Sequence, residues 1–80
     1  MSNSTHSDFI YINMTKRKKL QVTAKYGSLE FTEIAWPYNE NAHDGQVETC
    51  VDSICQQISD AGLAEMIDAF DFQKPQIIDV

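Results

Sequence analysis

In Leu20-Gln21-Val22-Thr23-Ala24-Lys25-Tyr26, apolar and polar side chains alternate without a break. Gly27-Ser28 then interrupts, and Leu29-Glu30-Phe31-Thr32 resumes the alternation. Successive side chains of a strand point to opposite faces, so Leu20, Val22, Ala24 and Tyr26 share one face while Gln21, Thr23 and Lys25 take the other. Gly-Ser supplies turn chemistry, so the stretch reads as a hairpin whose second strand spans residues 29–36. The phase of that strand flips at Glu33-Ile34, and a bulge near Glu33 is expected to reconcile its two halves. Pro37 ends it, and residues 37–41 read as a loop.

Upstream, Phe9-Ile10-Tyr11-Ile12-Asn13-Met14 is rich in β-branched and aromatic side chains and predicts a further strand over residues 9–14. With Ile10, Ile12 and Met14 facing inward, Phe9 and Tyr11 would lie on the uncovered face of the sheet. Downstream, Asn41 or Asp44 can cap a helix. Val47, Val51, Ile54 and Ile58 recur at helical spacing on it, a stripe widened by Cys50. Ser59 or Asp60 punctuates, and Leu63, Met66, Ile67 and Phe70 repeat the spacing in a second, shorter helix that Pro75 limits. The order β-β-β-α-α predicts an α+β fold, a three-stranded antiparallel meander with two helices packed on one face. Residues 1–7 read as a disordered tail, 8–74 as a single domain, and 75–80 as a C-terminal tail that is either a short strand or loose. Trp36, at a strand end, is expected to close the core, with Tyr38 more open.

The charge of the chain is split along its length. Lys16, Arg17, Lys18, Lys19 and Lys25 face Asp8 alone, whereas Lys74 is the single cation among all later carboxylates of a chain whose formal net charge is −6. Like charges gathered on one surface select partners by sign. On the acidic side, Glu48 and Asp52 are four residues apart on one helical face, and Glu65, Asp68 and Asp71 follow on or near the second helix. Such carboxylates commonly serve solubility alone. Like charges at this spacing cost a lone helix a little stability, which hints at a use for them. The functional reading is a negative surface that docks on a protein with a basic groove. On the basic side, Lys16, Arg17, Lys18 and Lys19 would form a hairpin tip. Together with Lys25 and the aromatics Phe9 and Tyr11 they offer an alternative, nucleic-acid-binding reading. The net negative charge opposes that approach.

Catalytic and metal signatures are missing from the sequence. His43 and Cys50 would lie about 10 Å apart along a helix, too far for a nucleophile and its base. Two histidines and two cysteines show no zinc-ligand spacing, and the three glycines form no phosphate-binding loop. No enzyme activity, cofactor or metal is expected. Cys50 and Cys55 on one helix would diverge by about 140°, which rules out a bond between them and fits a cytoplasmic location. The polar start Met1-Ser2-Asn3-Ser4 lacks the regions of a signal peptide, and no apolar run is long enough to span a bilayer. So short a chain buries a small core, which makes a homodimeric structural subunit a third reading. In its size, acidity and lack of catalytic residues the chain resembles the small phage-encoded proteins that block host machinery, anti-CRISPR proteins among them. That resemblance implies a non-enzymatic inhibitor that occludes a basic or nucleic-acid-binding surface of its partner.

Overall fold

The computed structural model describes residues 17–80, so the expected strand over residues 9–14 and the basic residue Lys16 lie outside the described residues. Four strands, β1 (Lys18–Tyr26), β2 (Leu29–Ala35), β3 (Asp71–Phe72) and β4 (Gln76–Asp79), form one antiparallel sheet. A 3₁₀ turn (Glu40–Ala42) leads into helix α1 (His43–Asp60), and a 3₁₀ helix (Ala64–Ala69) follows it. The fold is α+β, with both helical segments packed on one face of the sheet. The second helix is 3₁₀ rather than α. Its six residues are bracketed by a glycine stop at Gly62 and by extended Phe70, which leaves room for i→i+3 closures such as Met66 N–H to the Leu63 carbonyl at 2.8 Å.

β1 is the central strand. Leu20, Val22 and Ala24 are essentially inaccessible to solvent and form the core with Cys50, Ile54 and Ile58 of α1 and with Phe70. Two residues, Gly27 and Ser28, join β1 to β2. Gly27 has φ +59°, so the Gly-first loop matches the right-handed twist of the hairpin. The far edge of β1 is taken by the C-terminal strands: Ala24 pairs with Phe72, and Leu20 pairs with Ile77. Among the described residues both flanks of β1 are thus occupied, by β2 on one side and by the returning C-terminal strands on the other.

The bulge expected near Glu33 is absent. β1 and β2 keep one unbroken register from Leu20↔Ala35 to Tyr26↔Leu29. The irregularity lies on the other side of β1, where Gln73, Lys74 and Pro75 span the space opposite only Val22 and Thr23. Proline has no N–H to give to the ladder, which makes the break local to Pro75. Gln73 N–H still reaches the Thr23 carbonyl at 2.8 Å.

Because β2 is regular, Glu33 faces α1 and Ile34 faces away. A bare carboxylate against a helix is costly, and α1 supplies it with partners. Ser53 Oγ donates to Oε1 at 2.6 Å, Gln57 Nε2 donates to the same oxygen at 2.9 Å, and the Ile34 N–H donates to Oε2 at 3.2 Å. The hydrogen bond from Ser53, then that from the Ile34 N–H, hold the acid below its ordinary value, and Gln57 adds to them against the opposing effect of burial. This polar joint pins α1 to β2 where the sequence offers no apolar residue to do so.

Both ends of α1 are closed by neighbouring residues. The side-chain cap expected from Asn41 or Asp44 is not made, and Ala42 stands at the N-cap of α1 without one; the cap lies on the preceding 3₁₀ turn, where Asn39 Oδ1 accepts the Asn41 N–H at 2.9 Å. Gln46 reaches back to hold the entering chain, donating to the Pro37 carbonyl at 3.0 Å and accepting the Asn39 N–H at 2.9 Å. At the other end Gly62 adopts φ +81°, and the Leu63 and Gly62 N–H groups close on Ile58 and Ser59, the hydrogen-bond pattern of a Schellman stop. Trp36 and Tyr38 exchange their expected roles. Ala35 is the residue of β2 that faces the core, so Trp36 turns outward and is 48% exposed. The turn at Pro37 then carries Tyr38 onto the core, with its N–H on the Lys18 carbonyl at 2.6 Å.

Ile54 is fully enclosed, and truncation to Ala should cost about 3 kcal/mol in urea denaturation; a loss below about 1 kcal/mol would contradict the core described. The lowered pKa of Glu33 makes its contribution present at pH values above the ordinary carboxylate range and lost as pH falls through its folded value. The urea midpoint of the wild type should therefore fall more between pH 7 and pH 3.5 than that of Glu33→Gln, and equal falls would count against the joint.

Candidate partner-binding surface

Between Lys25 and Lys74 the chain contains no lysine or arginine. That interval includes β2, α1 and both 3₁₀ segments, so the whole helical layer is without a basic residue apart from His43. Glu48 and Asp52 are exposed on the outer surface of α1, one turn apart and continuing a ridge begun by Asp44. Glu65 and Asp68 are exposed on the 3₁₀ helix, whose Met66 and Ile67 pack on the same core. Asp71 lies apart from these four. It pairs across the sheet with Lys25 and belongs to the face turned away from the helices, where Gln73 Nε2 donates to its carboxylate at 3.2 Å. The structure thus brings Glu48, Asp52, Glu65 and Asp68 onto one layer and places Asp71 on the other.

Among the described residues the cations do not gather at a hairpin tip. Lys18, Lys19 and Lys25 are part of β1 itself, and Arg17 precedes it. Alternation separates them: Lys19 and Lys25 fall on the open face with Gln21 and Thr23, and Lys18 on the other. Lys18 Nζ is 3.5 Å from Asp79, and Lys25 Nζ is 3.9 Å from Glu30. Exposed pairs of this kind add little stability, but they neutralise part of the basic field. The open face has a shallow polar concavity of about 230 Å³ lined chiefly by Gln21, Thr23, Lys25, Gln73, Lys74 and Gln76. Phe9, Tyr11 and Lys16, the remaining members of the alternative set, lie outside the described residues.

Burial, with a smaller effect from the Glu33 carboxylate, pushes the Cys50 thiol above its ordinary value, which disfavours the thiolate a nucleophile needs. His43 is engaged elsewhere: its Nδ1 is 2.8 Å from the Tyr38 hydroxyl. Cys55 is half-buried and, like Cys50, is a free thiol. Among the described residues no group of three or more His, Cys, Asp or Glu stands close enough to hold a metal ion, and no helix is long and apolar enough to cross a membrane.

A groove of about 670 Å³ runs between β2 and α1, walled on one side by Ile34, Ala35 and Trp36 and on the other by Ala42, Gly45 and Thr49. Ile34 is 42% exposed beside the exposed Trp36. The sequence signal for it is the pairing of a large apolar strand end with small residues along one side of the first helical turns. The chain matches no family model, no curated protein and no solved structure.

Proposed function

We propose that this chain is a non-enzymatic binding protein whose acidic helical layer docks on a basic surface of a partner protein. The observation that carries the reading is the stretch of residues 26–73, which includes β2 and the helical layer and has no lysine or arginine. Glu48, Asp52, Glu65 and Asp68 stand exposed on that layer, and among the described residues none of them forms a salt bridge. Glu48 and Asp52 repel each other across one turn, at a cost of about 0.2–0.5 kcal/mol. A surface that tolerates this cost is suited to meeting positive charge, which speeds encounter and sets specificity. A partner whose basic surface normally holds nucleic acid would be blocked by occupancy alone, without chemistry. The alternative, direct binding of nucleic acid through β1, has less support because Lys18 and Lys25 are already partnered by carboxylates.

The variant Glu48→Lys/Asp52→Lys/Glu65→Lys/Asp68→Lys should keep the circular dichroism spectrum of the wild type. Immobilised in place of the wild type in a native lysate, it should lose the proteins that the wild type retains at low salt and releases at high salt. Retention of the same proteins by both would sink the proposal. In gel-shift titrations with single- and double-stranded probes at low salt the wild type should give no shift. A salt-sensitive shift abolished by Lys19→Ala/Lys25→Ala/Lys74→Ala would instead favour the nucleic-acid reading.

A further inference from the structure

We propose that the outer edge of β2 accepts an extended, lysine- or arginine-bearing segment of the partner, which adds to the sheet as a further strand and fills the groove beside α1. The inference rests on the acidic-surface reading and specifies how that surface is engaged.

Backbone direction shows which groups are offered. The Thr23 carbonyl is bonded from the β3 side by Gln73, and the Lys18 carbonyl is bonded from the β2 side by Tyr38. Even-numbered residues of β1 therefore point to β2 and odd-numbered ones to β3 and β4. Their partners Leu29, Phe31, Glu33 and Ala35 turn inward to β1, which leaves the N–H and C=O groups of Glu30, Thr32 and Ile34 facing outward. The Ile34 N–H is taken by the Glu33 carboxylate at 3.2 Å. Among the described residues no strand pairs with this edge, since the sheet order runs β2-β1-β3 with β4 also on β1. An unpaired edge is a template for an added strand.

The groove beside the edge has room for the side chains of such a strand. On its α1 wall stand Ala42, Gly45 and Thr49, and a methyl group placed on Gly45 would meet nothing within 4 Å. Ala35 and Trp36 supply the apolar contact on the other wall. Charge selects the occupant. β2 and α1 together carry Glu30, Glu33, Asp44, Glu48, Asp52 and Asp60 and no lysine or arginine, and on β1 Lys25 is already beside Glu30 and Lys18 beside Asp79. A second copy of a chain with net charge −6 would bring like charge to like, whereas a basic strand would not.

The chain's single tryptophan, Trp36, lines the groove and reports on it directly. The full chain is titrated with an alternating lysine–valine nonapeptide and, separately, with its glutamate–valine counterpart, while amide exchange is followed by NMR. The lysine peptide should shift Trp36 emission to shorter wavelength in a saturable way and protect the amides of Glu30 and Thr32; the glutamate peptide should do neither. Thr32→Pro removes an outward N–H without taking a backbone hydrogen bond from β1, a position where proline is tolerated, and gives up only the exposed hydroxyl contact with Thr23 at 3.1 Å. It should weaken binding at least about tenfold. Gly45→Leu fills the groove from the helix side and should do the same, so the test stands even where the proline variant folds poorly. Absent binding, equal binding of both peptides, or unchanged binding in both variants would overturn the proposal. So would Glu30 and Thr32 amides already protected in the free monomer, which would mean the chain's own residues 1–16 take the edge. A concentration-dependent dimer abolished by Thr32→Pro would assign the edge to a second copy and overturn it as well. Lysate partners kept by Thr32→Pro and Gly45→Leu but lost on charge reversal would remove the edge proposal and leave the acidic-surface reading standing; partners kept on charge reversal would remove that reading too.

Discussion

Everything in this domain is arranged around one strand. β1 buries Leu20, Val22 and Ala24 against Ile54 and Ile58 of α1, and it is hydrogen-bonded along both flanks. A small chain gains most from a strand used on both edges and one face, since its core holds few side chains. Once β1 is central, β2 is the outer strand among the described residues and the C-terminal residues return to the far side. The helical segments then cover the only face left apolar. Phe70, which meets Tyr26 and Phe31 at ring-centroid distances of 5.5 and 5.7 Å, ties the chain's return to the hairpin.

That arrangement converts a split in sequence into a split between layers. The cations of β1 fall beside the open face or against Asp79 and Glu30, and Lys74 joins them at the polar concavity. The carboxylates of α1 and the 3₁₀ helix cover the opposite side with no cation among them. Charges on a helix that caps a small core cannot turn inward, so the layer presents them to solvent together. Glu33 is the exception that supports the rule. It faces inward and is held by Ser53, Gln57 and the Ile34 N–H.

The local pattern made the hairpin legible: alternation over residues 20–26 and the Gly27-Ser28 turn are both realised, and the stripe from Val47 to Ile58 became α1. What was hidden depended on distant partners. Gln76-Ile77-Ile78-Asp79 is too short to declare itself a strand, and its pairing with β1 is set only when the chain comes back past Phe70. Glu33 looked like a break in phase because its partners, Ser53 and Gln57, lie a helix away in sequence. For Trp36 and Tyr38 the turn at Pro37 reverses which of them meets the core, and the local pattern carries no sign of that reversal. The basic run looked like a loop because four cations in a row seldom suit a strand, yet Lys18 and Lys19 are held by β4. Of the acidic residues, exposure was legible from helical spacing, while the separation of Asp71 from the rest was decided by its pairing with Lys25.

The central claim is that one layer of the molecule is uniformly negative and the other is not. It is tested most directly by paramagnetic relaxation of backbone amides with matched cationic and anionic nitroxide co-solutes at low salt. Amides of α1 and of the 3₁₀ helix should relax far more with the cationic probe than with the anionic one, and amides of β1 near Lys19 and Lys25 should show a smaller or reversed preference. Equal preference across both layers would contradict the account.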